Sequence, residues 1–226
     1  MKIGILGTGM VGQAHAEKLS ALGYSVMVGT RDPKKTAANQ KPDGMGNPPF
    51  SEWHKKHPGV MLGTFEQAAA HGEVIINATQ GEHSVEALKL AGAENLDGKV
   101  LIDISNALDF SKGMPPSLLF CNTDSLGERI QREFPKAKVV KTLNTVTAPL
   151  QVDPVKVAGG DHHVFLSGND AAAKEKAASL LRSYGWKNIV DLGDITTARG
   201  TEMLMPMWLR LWGALKTPMF NYKIMG

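Results

Sequence analysis

The sequence predicts a doubly wound α/β fold, a mostly parallel sheet with helices on both faces. Three observations carry this expectation. Short β-rich runs alternate with amphipathic stretches along almost the whole chain, the pattern of helices packed on a parallel sheet. The runs "VIINA" and "VLIDI" are continuously apolar, as strands buried on both faces are. A G-x-G-x-x-G turn formed by Gly7, Gly9 and Gly12 stands where the first strand meets the first helix, the context that gives this motif its meaning.

Taken in order, strands are expected at residues 2–7, 25–30, 59–63, 73–79, 99–105 and 138–143, with helices between them. The first helix presents Val11, Ala14, Leu19 and Leu22 as its inward face. Asp32 and Pro33 begin the second, with Asp as N-cap and Pro at the first helical position. The segment 39–58 holds four of the twelve prolines and two glycines, so it reads as a surface loop with a short helix. After a proline-containing connection come "HHVFLSG", "DAAAKEKAASLLRSYG" and "WKNIVDLG", a second strand-helix-strand series, then a helical segment from Ile195 rich in Met and Trp. This organisation divides the chain into a nucleotide-binding Rossmann domain, 1–150, and a smaller α/β extension, 151–226, which completes the site.

A length of 226 residues allows a substantial core, and a formal charge of +3 with 21% charged residues is too balanced for a nucleic-acid or membrane-surface partner,. Cys121 is the single cysteine, so no internal disulfide forms and a reducing compartment, the cytoplasm, is expected. The glycine-interrupted start does not read as an export signal. The run 203–215 is too short to span a bilayer and contains Pro206 and Arg210,; it belongs in a core or an interface. No metal site is expected. His162 and His163 are adjacent on a strand and point to opposite faces, while His54 and His57 could share a helical face but have no nearby acidic or cysteine partner in sequence to complete a site.

The glycines have separate physical roles: Gly7 permits the tight turn, Gly9 lets backbone amides approach a pyrophosphate, and Gly12 lets helix and strand pack closely. The helix N-terminus favours the anion. At the end of the second strand, where an NAD site places a carboxylate for the ribose, stands Arg31 in "GTRDPKK". A guanidinium suits a 2′-phosphate by its paired donors and adenine by its flat face. Thr30 adds a hydroxyl and Lys35 a second positive charge. The pattern points to NADP rather than NAD, with Asp32 serving the next helix.

With these residues in place, the chain resembles the NADP oxidoreductases related to coenzyme F420 (deazaflavin)-dependent NADP reductase, and the cytosolic reductase domain of the six-transmembrane metalloreductases. The matching stretches are "GILGTGMVG", "VGTRDPKK", "QGEHSVEAL", "VLIDISNAL", "VKTLNTVTA" and "ITTARGTEML". The resemblance implies that Thr8, Gly9, Met10 and Val11 hold the pyrophosphate, and Thr30, Arg31 and Lys35 the 2′-phosphate. It implies that Ala78, Thr79 and His83 lie along the cofactor, and that Ser105, Asn106, Asn144, Thr145 and Ala148 surround the nicotinamide. Hydride would pass between NADPH and a small-molecule acceptor, a deazaflavin (coenzyme F420) or a flavin (FMN or FAD), in a homodimer. The segment 39–58 is longer than the corresponding loop of the deazaflavin enzyme, which leaves the acceptor open.

Hydride transfer between stacked rings is cofactor chemistry, to which protein contributes orientation and electrostatics. His83 is the candidate proton donor, with a cofactor contact or a helix-start hydrogen bond as its other reading. Asp103 inside an apolar strand reads as a structural polar group. Arg199 and Glu202 are spaced as a surface helical pair, or Arg199 meets an anionic acceptor. Two competing functions stay open. One is an NADP(H)-sensing module without turnover. The other is a reductase of the pyrroline-5-carboxylate type, which the start resembles, although the strand-like later chain conflicts with that family's all-helical region.

Overall fold

The structure is a computed structural model and describes residues 1–42 and 46–226. The chain runs β1 (Lys2–Leu6), α1 (Met10–Ala21), β2 (Ser25–Thr30), α2 (Pro33–Ala38), α3 (Phe50–Lys56), β3 (Met61–Thr64), α4 (Phe65–His71) and β4 (Val74–Asn77). It continues through α5 (Ser84–Ala91), β5 (Val100–Asp103), β6 (Leu108–Asp109), β7 (Ser117–Leu118), α6 (Leu126–Glu133), β8 (Lys138–Thr142) and α7 (Ala148–Gln151). The last elements are β9 (His163–Ser167), α8 (Ala171–Tyr184), β10 (Asn188–Asp191), α9 (Ala198–Met203) and α10 (Met205–Leu215).

Eight strands form one sheet in the order β10-β9-β8-β5-β4-β1-β2-β3. All pairs are parallel except β8 with β9. This is the doubly wound Rossmann-type fold the sequence predicts. The strands after residue 150 extend that same sheet beside β8, and Tyr222 of the C-terminal tail accepts from the His163 amide at 2.9 Å.

Side-chain alternation builds two cores. Val74, Ile76, Val100 and Ile102 pack with Ala16 and Leu19 of α1 on one face, while Ile75 and Leu101 pack with Phe65, Ala68 and Leu88 on the other. Both faces of each central strand are therefore apolar, which is the source of the uninterrupted runs. Local caps punctuate the helices: Asp32 accepts from the Lys35 amide at 2.9 Å, and Thr64 forms a capping box with Gln67 at 3.1 and 2.9 Å,.

Several expectations change in detail. The third strand begins at Met61, the fourth covers 74–77 and the fifth 100–103. Leu22 is 42% exposed, whereas His15 and Ala16 are buried. Leu22 is the C-cap just beyond the last turn of α1, which still buries Leu19, and α7 and α8 each supply a polar partner for His15. The short helix of the 39–58 segment is α3. Residues 43–45 of that segment lie outside the described residues. The late helical segment divides at Leu204 into α9 and α10, with Pro206 in the first turn of α10, and the chain beyond Lys216 is not helical. The hairpin of β6 and β7 has no counterpart in the sequence reading.

His15 bonds Tyr184 and Gln151, each at 3.0 Å. Burial lowers its pKa from 6.5 to about 4, with the Gln151 bond opposing the shift. The unfolded chain therefore takes up this proton near pH 6.5 and the folded chain only near 4, so the contribution is complete above 6.5 and is lost as pH falls. Comparing urea unfolding of wild type and His15→Asn between pH 7 and 4.5, we predict that wild type loses stability more steeply, by up to about 1.4 kcal/mol per pH unit. Parallel slopes in the two proteins would refute this role for His15.

Candidate functional site

The chain turns back at β1: β2 and β3 lie on one side, and β4, β5 and β8 on the other. In open sheets of this kind the crevice at the carboxyl ends of the strands beside such a reversal receives ligands. Among the described residues, two of the cavities in that crevice meet at Thr79. The first, about 370 Å³, is lined by Gly7, Thr8, Gly9, Thr30, Arg31, Ala78, Thr79 and His83, among others. The second, about 380 Å³, is lined by Val11, Ala78, Thr79, Gln80, Ile104, Ser105, Asn106 and Phe110, among others. Gly12 lies beneath the turn, and Met10, 49% exposed, projects beside it.

The glycine turn fits an anionic ligand by shape and by charge. Gly7 has φ 118°, and a Cβ there would lie 2.5 Å from the Ala78 carbonyl oxygen. A Cβ at Gly12 would collide with the Gly7 carbonyl oxygen, so this glycine is what lets α1 sit close to the end of β1. A Cβ at Gly9 would meet nothing within 4 Å, so its absence keeps the approach to the helix N-terminus open. No side chain caps α1, leaving first-turn amides for an incoming acceptor. The Gln13 side-chain amide donates to the Thr8 carbonyl at 2.8 Å and fixes the turn.

Around this centre the remaining residues take distinct positions. Arg31 is exposed and lines the first cavity. The Thr30 hydroxyl is paired with that of Thr36 at 3.0 Å. Lys35 is exposed and lines neither of the two cavities. His83 lies on the Arg31 side, with its Nε2 3.3 Å from Glu82. Ser105 and Asn106 line the second cavity, while Asn144, Thr145 and Ala148 are buried behind it at 5, 3 and 8% exposure. Asn144 donates to Asn106 Oδ1 and the Thr201 carbonyl, both at 3.0 Å, and Asn106 donates back to the Asn144 carbonyl at 2.8 Å. These two asparagines lock the ends of β5 and β8 together, with α9 as the third support.

Beneath them lies a polar centre that the sequence reading missed. Lys141, fully buried, sits 2.7 Å from Asp103 and 3.1 Å from Glu202, and also donates to the Ser105 carbonyl. Burial opposes its charge, but Asp103 and then Glu202 outweigh burial, so its pKa is raised. Asp103 further accepts from Asn77 at 2.8 Å and from the Ser105 hydroxyl, in agreement with its structural reading. Glu202 accepts from the first amides of α6, Leu126 at 2.7 Å and Gly127 at 3.0 Å. The expected Arg199–Glu202 surface pair does not form: Arg199 binds Glu128 instead, with Nε 2.8 Å from Oε2. The Arg199 bond, ahead of the opposing burial, holds the Glu128 carboxyl below its usual range. The signal for this centre was a lysine inside "KVVKTL", in register with Asp103 on the neighbouring strand. Gly81 was also missed; a Cβ there would collide with the Asn106 carbonyl, so it fits the β4 exit against the β5 exit.

Among the described residues no cluster could hold a metal ion, and no helix is long and apolar enough to cross a membrane. His54 bonds the Val60 carbonyl and His57 the Trp53 carbonyl, each at 2.7 Å, while His162 bonds Pro154 at 2.9 Å.

The fold and the glycine turn define a Rossmann-type protein. Residues 2–107 match the family model described as NADP oxidoreductase coenzyme F420-dependent. A 1.70 Å crystal structure from Arthrobacter sp. FB24, provisionally named an F420-dependent NADP-reductase, is 60% identical, with TM-score 0.96 and full coverage of both chains. The F420-dependent NADP reductase of Methanocaldococcus jannaschii is 27% identical over 220 residues, covering 93% of this chain and 92% of that protein. Metalloreductase STEAP3 of Rattus norvegicus is 30% identical over 213 residues, 92% of this chain but 38% of its own length, so the chain spans under two fifths of that relative. The chain belongs to the family of coenzyme F420-dependent NADP oxidoreductases.

Replacing Lys141 with Met would leave Asp103 and Glu202 buried without their counterion, a change that costs about 3–5 kcal/mol. We predict that Lys141→Met lowers the melting temperature by on the order of 10 °C, whereas Lys35→Met leaves it within about 2 °C. Equal melting temperatures for Lys141→Met and wild type would contradict the assignment of Lys141 as the centre's counterion.

Proposed function

We propose that the chain, as an NADP-dependent oxidoreductase, transfers hydride between NADPH and a deazaflavin of the coenzyme F420 type, or a flavin (FMN or FAD). The observation that carries this reading is the shared cavity of the uncapped glycine turn and Arg31. In it, the amides of Thr8 to Val11 receive the pyrophosphate and the Arg31 guanidinium receives the 2′-phosphate, where a carboxylate would repel it. Lys35 adds positive charge from α2. His83 lies along the adenosine half, with Ala78 and Thr79 between the two halves; this supports a cofactor contact for His83 rather than proton donation at the reacting rings.

Ser105 and Asn106 border the nicotinamide, held from behind by Asn144, Thr145 and Ala148. When bound, NADPH supplies the hydride. The residues of this chain orient the ring, and Ile104, Leu108 and Phe110 give its cavity an apolar lining,. The names of the Arthrobacter and Methanocaldococcus relatives favour the deazaflavin as acceptor. The same reading takes the protein as a cytoplasmic homodimer, with exposed Met203, Met207 and Leu215 at the contact. The pyrroline-5-carboxylate reading loses support because β9 and β10 occupy the region where that family is helical.

Calorimetry with NADPH and NADH tests the cofactor assignment. Arg31→Ala is predicted to weaken NADPH about 10- to 100-fold, the worth of a charge-assisted contact, with little effect on NADH. Equal weakening of both would remove the 2′-phosphate assignment. Gly9→Ala is predicted to keep the wild-type melting temperature and lose NADPH affinity, because its new methyl group occupies ligand space only. Unchanged affinity in Gly9→Ala would argue against a pyrophosphate at this turn.

A further inference from the structure

We infer that Gln151, oriented by His15, is a positioning residue that holds the turn bearing Asn144 and Thr145, and thereby sets the nicotinamide end of the site; this rests on the NADP reading above. Leu143 to Val146 leave β8 as a turn closed by the Val146 amide on the Leu143 carbonyl at 3.0 Å. Leu143 opens it with φ 58°, a left-handed conformation that residues other than glycine rarely adopt. Its side chain is 2% exposed and belongs to the larger core cluster, so the residue cannot relax by turning outward. Such conformations persist where the surroundings over-determine them, and they gather at ligand sites.

Gln151 is the group that does this. Its side-chain amide nitrogen donates to the carbonyls at both ends of the turn, Leu143 at 3.2 Å and Val146 at 2.8 Å. With both hydrogens on carbonyls, its Oε1 is left as an acceptor, and His15 Nε2 stands 3.0 Å away. Neutral His15 therefore carries its proton on Nε2, and its Nδ1 accepts from the Tyr184 hydroxyl at 3.0 Å,. The Gln151 main-chain carbonyl is held in turn by Trp186 Nε1 at 2.8 Å.

A directed chain of bonds thus runs from Tyr184 on α8 through His15 on α1 to Gln151 on α7, and ends on the turn. His15 and Gln151 are 1 and 2% exposed, so water cannot replace a lost bond. The helix it passes through is the one whose N-terminus faces the phosphates, so the chain registers one half of the dinucleotide site against the other. From the turn, Asn144 passes the constraint to Asn106 at 3.0 Å, and Asn106 lines the second cavity.

The test compares calorimetric affinities for NADPH and for 2′,5′-ADP, which shares the phosphorylated adenosine and lacks the nicotinamide. Gln151→Leu removes both donors, and Gln151→Glu replaces the amide nitrogen by a carboxyl oxygen that can reach at most one of the two carbonyls through an O–H, while keeping size and an acceptor for His15. Leu180→Ala, a buried change on α8, serves as a control for general loss of stability. Both Gln151 variants should bind NADPH about tenfold more weakly and 2′,5′-ADP within about twofold of wild type, with the control leaving the ratio unchanged. If Gln151→Leu does not fold, Gln151→Glu decides the matter. Equal loss of both ligands, or no loss of either, overturns the inference. Wild-type protein that binds neither ligand overturns the NADP reading, and this inference with it.

Discussion

The pairing of Lys141 with Asp103 and Glu202 is the constraint on which the far half of the site depends. A lysine with no exposed surface is tolerable only where its charge and donors are met. Asp103, Glu202 and the Ser105 carbonyl meet them from a neighbouring strand, from α9 and from the loop after β5. Four parts of the chain far apart in sequence are thus bound at one point, since Glu202 also caps α6 through two amides. The arrangement explains how a segment beyond residue 195 contributes to a site built at the ends of β4, β5 and β8. A hydrophobic replacement of the whole group could be as stable; what the ionic version fixes is the direction in which the loop after β5 leaves the sheet.

The near half is held by steric contact instead. Gly12 against the Gly7 carbonyl and Gly7 against the Ala78 carbonyl bring α1, β1 and the end of β4 closer than any side chain would permit. Close approach places the uncapped end of α1 over the crevice, while the open side of Gly9 leaves the space in front of it clear. Arg31 stands on that side at the end of β2, solvated and with no carboxylate bonded to it among the described residues. Rigid backbone on one side and a solvated cation on the other suit a ligand that is clamped at its diphosphate and selected by its outer phosphate.

Legibility in the sequence followed the range of the interactions. The strand order's local units, the glycine turn, the Asp32 cap and Arg31 are settled within a few residues, and "ILGTGMVG" and "GTRDPKK" display them directly. Burial on both faces of β4 and β5 was visible as unbroken apolar runs. The partners of Lys141, His15 and Arg199 were not visible, because each lies 36 or more residues away and is chosen by topology. Arg199 shows the limit well: helical spacing offered Glu202, but Lys141 and the α6 amides had already claimed that carboxylate. The strands of β6 and β7 are two residues each, too short for any periodicity to announce them.

The central claim, that this chain passes hydride from NADPH to a deazaflavin or flavin, is tested most directly by stopped-flow absorbance of the reduced nicotinamide. Purified protein is mixed with NADPH and, in parallel, coenzyme F420, FMN or FAD, with NADH as the control. The account predicts rapid oxidation of NADPH by at least one of these acceptors, F420 first among them, and slow oxidation of NADH. Tight NADPH binding with no oxidation by any of the three would contradict it and leave a protein that senses the cofactor without turning it over.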